Sequence, residues 1–202
     1  NLISLIGAGS AMVRIFESLD QEEIIFHWLP EWRTVRSLPQ RNVLHRHTVD
    51  RHMVETAVHA AALTRQVHRP DLLLFAALFH DIGKGSDEDH SIRGAQIIEP
   101  IAKRIGFSDE DTATIQLLIR HHLLLSATAT RRDLDDPVTI SSVAQLIPDL
   151  QSLELLHALS IADGEATGRA AWSDWKASLV ADLVRRVGIA ITDNTIAQQP
   201  EL

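Results

Sequence analysis

An imidazole and a carboxylate stand side by side at His80-Asp81, at the end of an unbroken apolar run from Leu72 to Phe79 and just before Ile82-Gly83-Lys84-Gly85. A run of that kind reads as a helix buried on most sides, with the two glycines as its stop signal. Asp81 is thus delivered to the inner end of a buried helix. A charged carboxylate there is costly unless it is paired or bound to a metal. Neighbours on an ideal helix face apart, so His80 and Asp81 converge on one ion only if the last turn loosens at Gly83. Other ligand-type side chains recur where the pattern asks for apolar ones, or beside such positions. His52 lies beside Val49 and Met53 in the first turn of a long helical stretch, and His90 closes a polar loop just before another. His121 and His122 sit near the end of an almost wholly apolar stretch from Leu117 to Leu125. Asp163 is one turn from Leu159 and two from Leu156, so it shares their inward face. Together these residues form a nitrogen and oxygen ligand set without sulfur. Such a set suits Mn, Fe, Zn or Mg chemistry rather than a structural zinc site. Two carboxylates and four or five imidazoles exceed the needs of one ion. The expectation is two divalent metal ions sharing Asp81, roughly 3.5–4 Å apart as in two-metal hydrolases.

The elements that must carry these residues are helical. Residues 10–29 have helical periodicity, and Pro30 and Pro39 bracket an irregular stretch that includes Trp32. A long helix is predicted over about 49–67, capped by Thr48 or Asp50. Pro70-Asp71 opens the central helix, expected over about 71–82. A polar loop over 85–90 precedes a helix over 91–105 that stops at Gly106. Ser108 caps a helix running to about Leu125, and residues 126–138 read as a surface loop. Helices are predicted over 139–147, 150–167 and 172–187, with an extended tail from Gly188. Short connections and no two-residue period give an all-α fold, a helical bundle with an N-terminal helical appendage. The expected organisation is a lead-in segment over 1–48, a catalytic domain over 49–187 and a linker or tail over 188–202.

Composition narrows the function. The chain of 202 residues is 45% hydrophobic and carries a net charge of −8 with histidines neutral, with Lys and Arg scattered, so no nucleic-acid surface is expected. The absence of cysteine excludes disulfides, thiolate zinc sites and a cysteine nucleophile. No apolar run approaches a membrane span and no signal-peptide pattern opens the chain, so a cytoplasmic location is expected. The first residue is not Met, and the expectation is a piece of a longer protein.

The order His52, His80-Asp81, Asp163, with His-Asp-Ile-Gly-Lys at 80–84, resembles the HD-domain metal-dependent phosphohydrolases. His90 and the His121-His122 pair match the extra histidines of the two-metal members. Further blocks at His45 to His52, Asp89-His90-Ser91, Arg120 to Leu124, Arg131 to Pro137 and Trp172 to Leu179 narrow the resemblance to one branch of that family. Its members remove a nucleotide from the PII nitrogen-signalling protein. The likeness covers roughly residues 15–187.

The resemblance implies hydrolysis of the phosphodiester that joins UMP, or AMP as in actinobacterial relatives, to a PII tyrosine. It implies one ion on His52, His80, Asp81 and Asp163. The other would sit on Asp81, His90 and His121, with His122 as a further or alternative ligand. Lys84 is placed to contact the phosphate, and Arg120, Arg131 and Arg132 to hold phosphate or an acidic PII surface. His45, His47, His59 and His157 are assigned to structure or solvent. Gly9-Ser10 is not followed by the Asp-x-Asp pair of the family's nucleotidyltransferase domain. That domain and the two glutamine-sensing ACT domains are therefore expected outside this chain. Two other readings fit the metal residues: a phosphohydrolase for free nucleotides or (p)ppGpp, and a non-catalytic metal-binding module that docks PII.

Overall fold

In a computed structural model, residues 2–40 and 47–197 are described. His45 and the last five tail residues fall outside that set. The described residues are helical and contain no strand. No helix among them is long and apolar enough to cross a membrane.

The site is built by three core helices: α4 (Val49–Leu63), α5 (Pro70–Phe79) and α10 (Leu150–Thr167). Pro70 sits in the first turn of α5, where its missing N–H costs nothing. Every residue from Leu72 to Phe79 is buried, so α5 is wrapped on all sides rather than lying on the surface. Truncating Phe79 to Ala would cost about 3–5 kcal/mol by the usual cavity penalty. α10 starts at Asp149, whose carboxylate accepts from Ser152 N–H, and turns Leu155, Leu156, Leu159 and Ala162 inward. α4 turns His52, Met53, Thr56, Ala57 and Ala60 toward the same core.

Around them stand α6 (His90–Ile105), α7 (Asp109–Arg120), α8 (Leu124–Arg131), α9 (Pro137–Ala144) and α11 (Asp174–Ala197). Asp89 caps α6 by accepting from Ser91 and Ile92 N–H, and Gly106 ends it with φ 105°. Ser108 caps α7 by accepting from Asp111 N–H. The lead-in comprises α1 (Leu2–Ile6), α2 (Ser10–Gln21), α3 (Ile25–Trp28) and a 3₁₀ turn over Pro30–Thr34. It is anchored by Trp32, whose ring meets Phe16 at 5.0 Å and Phe79 of the central helix at 6.2 Å, both edge-on.

Several helix ends shift by a few residues from the sequence expectation, the central helix among them, which ends at Phe79 rather than 82, and four differences go further. The periodic stretch over 10–29 breaks after Gln21 into α2 and α3, with Glu23 at φ 60°. The helix expected to run to Leu125 stops at Arg120, and α8 occupies part of the expected surface loop. Only Leu125 and Ala129 of α8 are buried, a stripe too thin to stand out among Ser, Ala and Thr. The expected tail continues α11 as helix through Gly188 to Ala197. Val187 and Ile191, one turn apart, are both buried and carry the apolar face across the glycine.

Candidate metal centre

The main chain leaves helical geometry just where the chemistry begins. After Phe79 it makes successive turns, with Ile82 N–H donating to Phe79 O at 3.0 Å and Lys84 N–H to Asp81 O at 3.0 Å. His80 and Asp81 can therefore face one centre despite being neighbours. Both are buried.

Two sets of ligand-type atoms converge there. His52 Nε2 lies 3.3 Å from His80 Nε2, and Asp163 Oδ1 lies 2.9 Å from the first and 3.5 Å from the second. Asp81 Oδ2 approaches the same group, 3.5 Å from His80 Nε2 and 3.9 Å from His52 Nε2. Its other oxygen, Oδ1, faces away to His90 Nε2 at 3.6 Å and His122 Nε2 at 3.7 Å. The four imidazoles form a row in the order His52, His80, His122, His90, with ring centres 5.2 to 5.3 Å apart. Asp81 thus gives one oxygen to each end of the row.

The donor chemistry fits divalent cations. His80 Nδ1 donates to Ala77 O at 2.9 Å and His122 Nδ1 to Ile119 O at 2.7 Å. Anchoring Nδ1–H on a carbonyl points the Nε2 lone pair at the centre, the usual arrangement behind a metal-bound imidazole. His52, His80 and Asp81 can hold one ion, and Asp81, His90 and His122 another. Asp163 flanks the first of these groups.

The electrostatics say the same. Burial opposes a charge on His80, but Asp81 and Asp163 outweigh it and push its pKa up to about 10. Burial also works against ionised Asp81 and Asp163. Their histidine neighbours, with Lys84 for Asp81, nonetheless hold both carboxyls well below the ordinary carboxylate range. The centre therefore favours positive charge, whether as a proton on His80 or as a divalent cation. His122 behaves oppositely: burial, reinforced by His80, brings it down to about 4. Burial also lowers His90.

A glycine contact joins the two sets. A Cβ on Gly83 would lie 2.5 Å from Gly94 N and closer still to the His90 carbonyl. Main chain therefore meets main chain where the turn after α5 packs on the start of α6, and Asp81 and His90 are drawn together across that contact.

The remaining sequence candidates fall into three groups. His121 is half-buried and belongs to neither ligand set; the order assigned to the histidine pair is corrected, with His122 the inward one. The reason is local: α7 ends at Arg120, so His121 and His122 follow a turn rather than a helical face. Lys84 Nζ lies 2.5 Å from Asp81 Oδ2 and donates to Gln40 Oε1 at 2.7 Å. A cavity of about 760 Å³ opens over the centre, lined by Asp81, Lys84, His90, His122, Asp163 and, farther out, Arg131. Arg120 and Arg132 are exposed and are not among the residues that line it. Thr130, Thr167 and Lys176 do line it and were not candidates from the sequence. Only the Trp172 to Leu179 block hinted at that region.

Residues 49–167 match the HD domain family. The bifunctional uridylyltransferase/uridylyl-removing enzyme of Streptomyces coelicolor is 58% identical over 186 residues, which cover 92% of this chain and 22% of that protein. The enzyme of the same name from Mycobacterium tuberculosis is 52% identical over 199 residues, 98% of this chain and 25% of its own length. That of Ruegeria pomeroyi is 34% identical over 186 residues, covering 84% of this chain and 20% of that protein. The chain thus spans about a fifth to a quarter of the length of these relatives.

Proposed function

This chain belongs to the HD-domain family, and we propose that it hydrolyses the phosphodiester joining UMP or AMP to a tyrosine of the PII nitrogen-regulatory protein. The uridylyl-removing activity in its relatives' names and the site geometry support that reading. One observation carries it: Asp81 directs Oδ2 toward His52 and His80, and Oδ1 toward His90 and His122. A carboxylate shared in this way suits a pair of divalent ions. His52, His80, Asp163 and Asp81 Oδ2 would hold one, and Asp81 Oδ1, His90 and His122 the other. Ions bound there supply charge that neutralises phosphoryl oxygens and makes water easier to deprotonate.

The chain's own groups do the rest. Asp81 stays anionic and His122 neutral at ordinary pH, so both remain acceptors facing the centre. Lys84, at the cavity wall beside Asp81, is placed to donate to a non-bridging phosphate oxygen. A tyrosyl leaving oxygen has an intrinsic pKa of about 10, so it departs with little need of a strong general acid. The expected domain division, with the catalytic unit over 49–187, is part of the proposal. The family match covers its first 119 residues, 49–167, and α11 completes one wall of the cavity.

The test is release of nucleotide from uridylylated and adenylylated PII by the metal-loaded protein, beside Asp81→Asn. Release by wild type and none by the variant is expected. A wild-type protein that binds metal yet releases neither nucleotide would refute the assignment.

A further inference from the structure

The cavity over the metal centre is far larger than a phosphate group, and its two flanks differ in chemistry. One flank is the lead-in and the loop after α5, with Leu38, Pro39, Gln40 and the stretch Lys84 to Asp87. The other is made by α8, α10 and the start of α11. Along that flank Asp163 marks the metal floor, and Thr167 follows one turn later, about 6 Å along the helix axis. Ala171 and Lys176 continue the wall, and Thr130 and Arg131 face it from α8.

The polar groups of this flank are already oriented. Thr167 Oγ1 donates to Asp163 O at 2.9 Å and Thr130 Oγ1 to Ser126 O at 2.8 Å. Each hydroxyl has its proton committed to the main chain and keeps lone pairs to accept with. Lys176 Nζ is steered by Ala171 O at 3.0 Å and by the Trp172 ring, whose centre lies 5.6 Å away. That ring is in turn seated on Gly164, where a Cβ would lie 2.6 Å from Trp172 Cδ2. Arg131 makes no ion pair among the described residues, whereas Arg51, Arg69, Arg104 and Arg186 are all paired.

We infer that this flank is a nucleoside subsite, in which Lys176 and Arg131 donate to, and Thr130 and Thr167 accept from, the base and ribose of the nucleotide whose phosphate lies at the metal centre. The inference rests on the proposed reaction. A carboxylate of a protein partner would need donors only. A nucleobase edge presents acceptors beside N–H groups, and this wall offers both complements. The cavity volume also lies within the range of small-molecule sites, roughly 300–1,000 Å³.

The experiment is calorimetric binding of UMP, AMP and inorganic phosphate to the metal-loaded protein, with Lys176→Met and Lys176→Gln beside wild type. Loss of a charged donor to a ligand is expected to weaken nucleotide binding about tenfold. Phosphate binding should stay within twofold, and circular dichroism should be unchanged. Hydrolysis should follow the same split: a raised KM with kcat preserved on a nucleoside 5′-p-nitrophenyl phosphate, and no change on bis-p-nitrophenyl phosphate. Nucleotide binding no tighter than phosphate in wild type would overturn the subsite. So would variants that weaken phosphate and nucleotide equally. Tight UMP or AMP binding that depends on Lys176, in a protein that leaves nucleotidylated PII intact, would uphold the subsite and count against the reaction alone.

Discussion

The two halves of the metal centre are built in different ways. His52, His80 and Asp163 come from, or directly follow, the three core helices, and both imidazoles are 1% exposed or less. His90 and His122 stand at helix ends, the first opening α6 and the second in the turn after α7. The His90 side chain is 28% exposed and borders the cavity. The inner histidines are thus held by packing on the core helices, and the outer half is mixed: His122 is also buried, while His90 depends on the α6 cap and one glycine contact. Packing holds a side chain through many weak contacts, whereas a turn holds it through a few hydrogen bonds. His90 is the ligand that local changes can disable without unfolding the protein.

The largest effect expected is at the residue both halves share. Asp81→Ala should remove both ions and lower hydrolysis by at least about a thousandfold, since neither half keeps its carboxylate bridge. Metal analysis showing one ion still bound at full occupancy would mean that the halves are independent. Next come the single-half variants. His90→Ala should keep the inner ion, lose the outer one and cut hydrolysis by roughly two to three orders of magnitude, with little change in the Tm of metal-free protein. His52→Ala should spare the outer ion in part. It should also lower metal-free stability by about 1–3 kcal/mol, because Asp163 loses a buried partner. Equal Tm losses in the two variants would erase the contrast between packing and turns. The histidine pair sharpens it further: His122→Ala should resemble His90→Ala, whereas His121→Ala should stay within a few-fold of wild type in both metal content and rate.

The smallest effect concerns a tie between the halves. Arg69, just before α5, donates to Asp71 at the start of that helix and, at 2.6 Å, to Asp111 on α7. It therefore links the helix leading to His80 with the helix leading to His122. The guanidinium holds both carboxyls below their ordinary value of 3.8. A depressed folded pKa gives stability that is present above about pH 4 and is lost as pH falls through the folded values. The groups are partly exposed, so Arg69→Gln should cost less than about 1 kcal/mol at pH 7. The difference from wild type should shrink in acid. A difference that grows as pH falls would refute the sign.

The same contrast governs what could be read before folding. Asp163 was legible because α10 keeps its period: one turn from Leu159 means the same face, and Oδ1 indeed meets His52 at 2.9 Å. His80-Asp81 was legible from the cost of a carboxylate at the end of an apolar run. The order of His121 and His122 was not, because periodicity assigns faces only while a helix continues, and α7 stops one residue earlier. α8 reads as loop in sequence because its buried stripe is two residues wide. Thr130 gave no warning and Lys176 only the hint of its block, since each reaches the cavity only through the way α8, α10 and α11 assemble.

Gly83 has a consequence for how such a centre can be altered. Its hydrogen allows the main chain of the turn after α5 to touch that of α6, so the approach of His90 to Asp81 is set by peptide groups as well as by side chains. Replacing histidines can change which element each half prefers, but leaves the ruler between them untouched. Retuning the pair would begin at position 83, where the smallest possible addition, one methyl group, already moves a helix.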